Sequence, residues 1–289
     1  MIMLEIKNLT KFYKDIKGVE NLSLHINKGE IFGFIGPNGA GKSTTIKCIM
    51  NQINKTSGEI YINKVLNDKN NVELKKIIGY LPDEVHLYND LTVEQMLNYS
   101  NSFYEKDCSK KINYLVEKLN IDTRKKIEEL SLGNLKKIGI VLAMMHEPKI
   151  LILDEATSGL DPLMKETFYE LLLEEKNKGT TIFFSSHNLN EIKKICDRVG
   201  IIKDAHLVSV ETINELSSNN LEIITIVSND ADKIKKELNQ ELIREEDSKL
   251  KFIYKDNINN LIKLLSRYNI EKILIEEPSI EEIFIHYYN

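Results

Sequence analysis

The sequence is short of cysteine, of long apolar runs and of basic charge, and each shortage removes a class of function. Its three cysteines, Cys48, Cys108 and Cys196, stand far apart with no C-x-x-C pair, which leaves neither a disulfide framework nor a dithiol redox site. That fits a reducing cytoplasm. The longest apolar stretch is close to "IVLAMM", far below the roughly 20 residues of a spanning helix. The first residues, "MIMLEIKNLTKFYKD", lack the apolar core and cleavage site of a secretory signal and read as a short strand followed by a polar loop. A formal net charge of −5 gives no basic field to steer the chain to nucleic acid or anionic lipid. The histidines at 25, 86, 146, 206 and 286 show no metal-ligand spacing, which argues against zinc. No N-K-x-D segment of a guanine reader is found, since "NKVLND" has the wrong spacing.

What is present is an α/β pattern. With 289 residues the chain has room for one large domain and a smaller one, at roughly 100–200 residues per domain. Runs such as "IFGFI" (31–35), "IIGYL" (77–81), "KILIL" (149–153), "TTIFFS" (180–185) and "VGII" (199–202) are apolar on both faces, as buried parallel strands are. Helices are expected after Lys42, Thr92, Ser109, Leu132, Pro162 and Asn188. The alternating "LSLHI" (22–26) and "GEIYI" (58–62) predict a small antiparallel sheet, and "KDAH" (203–206) predicts a hairpin turn. After Leu216 the pattern changes: "SSNN" reads as a linker, followed by strand, helix, strand, strand, helix, strand and helix. The last of these helices opens at "PSIEE", where Ser279 and Glu282 have capping-box spacing.

Chemistry concentrates in four segments. In "GPNGAGKST", Gly36, Gly39 and Gly41 permit backbone angles that turn successive N–H groups of the loop from Gly36 through Pro37, Asn38 and Ala40 to Thr44 around a phosphate. A strand leads in and a helix N-terminus leads out, so Lys42 would reach the β- and γ-phosphates while the Ser43 hydroxyl ligates Mg²⁺. In "ILILDEATSGLDP" a buried strand delivers Asp154 for the metal's hydration shell and Glu155 as general base for water. His187 follows another buried strand, in reach of the γ-phosphate and that water; alone it would read as a cap or a satisfied core residue. "LSLGNLKK" puts Ser131 and Gly133 at the start of an apolar helix, either a second anion site or an ordinary cap. One nucleotide cannot use both anion sites of a single subunit unless the chain folds back tightly, so the second site is expected to serve a neighbour's ATP.

Taken together these residues resemble the nucleotide-binding subunit of ATP-binding cassette (ABC) transporters over roughly residues 3 to 216. The motifs occur in family order: the phosphate loop at 36–43, a coupling loop in "GYLPDE", the signature "LSLGN", the metal and base segment at 150–155, the D-loop "SGLD" ending at Asp161, and the switch His187. The resemblance implies a P-loop NTPase fold of class α/β, with a RecA-like parallel sheet core, an antiparallel β subdomain and a helical subdomain about 84–146. The cassette would occupy 1–216, with a small C-terminal α+β domain at 217–289. It further implies that Tyr13 stacks on adenine, where an ordinary edge tyrosine is the plain alternative. ATP and Mg²⁺ are the implied cofactors. Two cassettes, identical or related, would close head to tail over two ATP molecules at the cytoplasmic face of the cell membrane. Closure would drive a separate integral-membrane permease, with no nucleic acid involved and the cargo never touching this chain. The ending "EEPSIEEIFIHYY" is similar to that of the bacterial drug and bacitracin-resistance exporter group.

The sequence departs from the family pattern in two places. Leu132 and Asn134 stand where the commonest signature has glycine and glutamine, with Ser131 and Gly133 retained. Asp83 stands at the coupling-loop glutamine, where its charge could bind Mg²⁺ more strongly but cannot donate a hydrogen bond when ionised; a solvated loop acid is the alternative. Two other functions remain open on sequence: a soluble family ATPase acting on ribosomes or DNA, and a nucleotide-binding regulatory subunit without turnover.

Overall fold

A computed structural model describes residues 1–218, 222–238, 242–246, 248–254 and 256–276. Two strands, β1 (Ile2–Tyr13) and β2 (Ile16–Asn27), form a long antiparallel hairpin. On the other edge of β1 lies β4 (Ser57–Ile62), followed by β5 (Val65–Leu66), completing a four-stranded antiparallel sheet. The expected polar loop after a short first strand is therefore replaced by a strand of 12 residues. Pairing on both edges satisfies the backbone of the polar "KNLTK" segment. Bulges in the ladder between Ile6 and Leu9, with Asn8 at φ 48, absorb the mismatch.

The second sheet is the core. Its strands are β3 (Ile31–Ile35), β6 (Ile78–Leu81), β7 (Ile150–Asp154), β8 (Thr181–Ser186), β9 (Arg198–Lys203) and β10 (His206–Thr212), in the order β10-β9-β3-β8-β7-β6. From β9 to β6 every pairing is parallel. All residues of β3, β7 and β8 are buried, as parallel strands covered on both faces must be. Between β9 and β10 the chain turns through Asp204 and Ala205, both at positive φ, the geometry of a two-residue I′ hairpin. The turn also braces the core: Ala205 N–H donates to Ala40 O, and its carbonyl accepts from Glu20 N–H.

Helix α1 (Lys42–Ile49) leads from core strand β3 to β4 of the first sheet, while α5 (Pro162–Asn177) and α6 (Leu189–Ile195) connect core strands. Between β6 and β7 lie α2 (Val93–Asn101), α3 (Ser109–Lys118) and α4 (Leu132–Met144). A reciprocal Thr92–Gln95 capping box opens α2 and satisfies two of its orphan backbone donors.

The chain divides into two units, Met1–Glu211 and Thr212–Asn289. The second begins with α7 (Ile213–Ser218), so Ser217 and Ser218 of the expected linker are helical. The reason lies upstream, where Thr212 and Glu215 exchange hydrogen bonds: Thr212 N–H donates to the Glu215 carboxylate and Glu215 N–H to Thr212 Oγ1. There follow β11 (Glu222–Ser228), α8 (Ala231–Leu238), β12 (Leu242–Glu246), β13 (Lys249–Tyr254), α9 (Ile258–Leu265) and β14 (Ile270–Glu276). Their order, β12-β13-β11-β14 with antiparallel pairing throughout, is the split βαβ arrangement of ferredoxin-like domains. Ile224, Ile226, Ile234, Phe252 and Leu261 centre a core of its own. The expected cap at Ser279 and Glu282, and the ending after Glu276, lie outside the described residues.

Candidate active site

Parallel strands bring their carboxyl ends to one edge, and strand order decides which loops meet there. Because β8 lies between β3 and β7, the segment after β8 rises between the other two. Register brings the ends level, pairing Ile35 with Ser186 and Asp154 with Ser185. The phosphate loop, Glu155 and His187 are neighbours for that reason.

The loop from Gly36 to Gly41 is shaped by its glycines. A Cβ at Gly36 would lie 2.2 Å from Ile202 O, and one at Gly41 would lie 2.4 Å from Gly18 O, with Gly41 itself at φ 109. Asn38 and Gly39 form the exposed crest, while Ala40 and Lys42 are buried. The Lys42 ammonium donates to Gly36 O at 2.7 Å and Pro37 O at 3.3 Å, and sits 3.4 Å from Glu155 Oε1. Thr45 anchors the head of α1, its Oγ1 donating to Gly41 O.

Glu155 follows the last residue of β7 with its backbone at φ 45, a conformation sparsely used by residues with a side chain and common where a site fixes geometry. Its other oxygen lies 2.8 Å from His187 Nδ1. An ionised carboxylate only accepts, so Nδ1 carries the proton in this pair. Glu155 thus receives one cation and one imidazole, and its side chain is only 14% exposed.

Asp154 is buried, accepts a hydrogen bond from Ser185 Oγ at 3.1 Å, and lies near the Ser43 hydroxyl. Burial raises its pKa above the ordinary aspartate value; the two hydroxyls oppose that, and the charges of Glu155 and Asp83 add to it. A carboxylate and a hydroxyl meeting at the mouth of the phosphate loop are hard oxygen donors suited to magnesium. Among the described residues no group of three or more His, Cys, Asp or Glu forms a cage, as suits an ion held mainly by phosphates and water. Asp83 is half exposed, and its backbone carbonyl accepts from Lys136 Nζ at 2.6 Å.

Tyr13, at the end of β1, packs beside Thr44: a Cβ on Gly18 would meet the Tyr13 ring at 2.8 Å and Thr44 Cγ2 at 2.9 Å. Gly18 therefore leaves room for the Tyr13 ring beside Thr44 of the phosphate-loop helix. Ser131 is the N-cap of α4, its Oγ accepting from Asn134 N–H at 3.3 Å. Leu132 beside it is 81% exposed. Gly133 touches the D-loop of its own chain, where an added Cβ would lie 2.6 Å from Gly159 O. Asp161 caps α5, accepting from Met164 N–H at 2.9 Å, with Pro162 in the first turn.

Two residues of this arrangement were not singled out from sequence. Gly18 serves Tyr13 and Gly41 alike, but an isolated glycine in a strand gives only the weak signal of a close backbone approach. Lys136 lies on α4 and is buried, donating to the carbonyls of Pro82 and Asp83 and so tying the signature helix to the coupling loop. Burial lowers its pKa, against the pull of Asp83, Asp154 and Glu155. In sequence it is one of two adjacent lysines, Lys136 and Lys137, and nothing local marks it as buried.

Comparison with known proteins agrees with this geometry. Residues 19–158 match the ABC transporter family. An uncharacterized ABC transporter ATP-binding protein of Methanocaldococcus jannaschii is 33% identical over 95% of this chain and 98% of its own length. The bacitracin transport ATP-binding protein of Bacillus licheniformis is 33% identical over 80% of this chain and 76% of its own. Among solved structures, a dimeric ATP-binding cassette in a post-hydrolysis state bound to ADP and Pi shares 27% identity with a TM-score of 0.65, over 73% of this chain and 99% of that one. The chain thus belongs to the ABC transporter family, as one of its ATP-binding ATPase subunits.

Proposed function

We propose that this chain, paired head to tail with a second cassette at the cytoplasmic face of the cell membrane, hydrolyses ATP to drive a separate membrane permease of the exporter kind. The observation that carries the reading is the convergence of Lys42, Glu155 and His187, with Glu155 3.4 Å from the ammonium and 2.8 Å from the imidazole. A water beside Glu155 would be polarised by its carboxylate while the γ-phosphate would be held by Lys42 and by backbone N–H groups of the loop, Pro37 having none to give. His187, held to Glu155 through Nδ1, would offer its other ring nitrogen to the γ-phosphate. Ser43, Asp154 and Asp83 would hold magnesium, which when bound neutralises charge on the β- and γ-phosphates. Tyr13 would stack on the adenine.

Pairing is supported by the second helix N-terminus at Ser131 to Asn134, with Leu132 exposed, and by the dimeric state of the solved relative. Asp161, at the head of α5, would line the same seam. No helix among the described residues is long and apolar enough to cross a membrane, so the translocating part is assigned to a partner. The bacitracin transport relative supports export.

Phosphate release from the purified chain tests the chemistry. With Glu155→Gln it is expected to fall by about 10²–10⁴-fold, the usual contribution of a general base, while ATP binding measured by equilibrium dialysis persists. Equal turnover in both proteins would remove Glu155 from its role.

A further inference from the structure

One buried carboxylate near the site has no part in the chemistry above. Glu191 is the third residue of α6, four positions beyond His187, and is buried. Its Oε1 accepts from Thr157 Oγ1 at 2.9 Å and from Lys165 Nζ at 2.9 Å; its Oε2 accepts from Thr157 Oγ1 at 2.8 Å and from Ser186 Oγ at 2.8 Å. Three elements thus end on one side chain: the turn after Glu155, the end of β8, and the first turn of α5.

The chain positions of these partners give the cluster its meaning. Thr157 is two residues past Glu155, and Ser186 immediately precedes His187. Ser186 Oγ also accepts from Asn188 N–H at 3.0 Å, so the backbone on both sides of His187 is fixed through one hydroxyl. Glu155 and His187 meet at 2.8 Å, yet they lie on loops from separate strands, and the Asp154–Ser185 pairing of β7 with β8 stops short of both. Beyond the ends of those strands, the shared carboxylate bridges the two loops.

Burial alone pushes the Glu191 carboxyl up, but Lys165, Ser186 and Thr157 outweigh it and hold the pKa below the ordinary glutamate value. The group therefore stays ionised, with both oxygens engaged by donors. A buried charge satisfied in this way is costly to disturb on one side only, which makes the cluster a rigid spacer and not a loose contact.

We propose that Glu191 is a positioning residue for hydrolysis, holding the Glu155 turn and the His187 segment at the separation their side chains need, without touching nucleotide. This rests on the reading of Glu155 and His187 as the hydrolytic pair. Losing the spacer would let the two loops part, and displacements of about 1 Å at a reacting pair cost on the order of 100-fold in rate. Among the described residues the side chains of the cluster form no hydrogen bond with the phosphate loop, so binding of ATP is expected to be spared.

Three variants of the full chain test the role: Glu191→Ala, Glu191→Gln and Thr157→Val. The last removes the bridging hydroxyl while nearly preserving side-chain volume, and it keeps the test open should Glu191→Ala fail to fold. Steady-state phosphate release is expected to show kcat lowered about 10- to 100-fold in Glu191→Ala with KM for ATP changed less than about twofold. Glu191→Gln, which keeps an oxygen for Thr157 and Lys165, is expected to recover part of the loss, and Thr157→Val to lower kcat in the same way. Folded variants with unchanged kcat, or with a raised KM at unchanged kcat, would overturn the role. Wild type and Glu155→Gln run alongside: turnover no faster in wild type than in Glu155→Gln defeats the hydrolytic reading itself, a result distinct from normal wild-type turnover matched by the Glu191 variants.

Discussion

At Glu155 backbone strain coincides with the proposed catalytic role. The residue occupies a left-handed conformation at φ 45, which costs on the order of 1–3 kcal/mol for a residue with a side chain, and contacts with Lys42 and His187 help to hold it there. A quieter residue, His146, should set the acid limit of the fold. Its ring stacks on Tyr104 at 4.5 Å, Nε2 lies 3.1 Å from Ile78 O, and Nδ1 is buried with no partner among the described residues. Burial lowers its pKa below the ordinary histidine value, and the bond to Ile78 only partly opposes that. The unfolded chain takes up a proton near pH 6.5 while the folded chain does not, so stability falls as pH drops through about 6.5 towards the lowered folded value. Urea unfolding at about pH 7.5 and about pH 5.5 is expected to show a smaller acid loss in His146→Phe than in wild type. An equal loss in both would move the acid sensitivity elsewhere.

At the scale of elements, function depends on close backbone approaches, and the phosphate loop gives the sharpest case. Gly41→Ala would place a methyl group 2.4 Å from Gly18 O at a residue with φ 109. Strain of about 1–2 kcal/mol in the cradle is expected to weaken ATP binding by about tenfold, measurable by titration of a fluorescent ATP analogue; unchanged affinity would mean that the loop does not cradle the phosphates. The loop was legible in sequence because its chemistry demands glycines at fixed spacing, and the strands β3, β7 and β8 were legible because burial on both faces leaves continuous apolar runs. Other features depend on partners distant in the chain. Glu191 meets Thr157 across 34 positions and Lys136 meets Pro82 across 54, and no local pattern marks either. The length of β1 was missed for the same reason, since its polar half is held as strand by neighbours on both edges. The α7 cap was written locally, as Thr212 and Glu215 at capping-box spacing, but the serines and asparagines that follow obscured it.

For the whole molecule, the proposed function turns on two helix N-termini read as anion sites, that of α1 behind the phosphate loop and that of α4 behind Ser131. The account assigns them to different ATP molecules in a closed pair of cassettes. In such a pair, a chain with a broken phosphate loop can still lend its signature to a neighbour, and a chain with a broken signature can still lend its phosphate loop. The most direct measurement is therefore phosphate release from an equimolar mixture of Lys42→Ala and Gly133→Asp chains, each inactive alone. The account predicts turnover in the mixture well above that of either variant, from the one intact composite site that each mixed pair contains. Turnover no greater than the sum of the two separate preparations would contradict it, because every working site would then have to lie within a single chain.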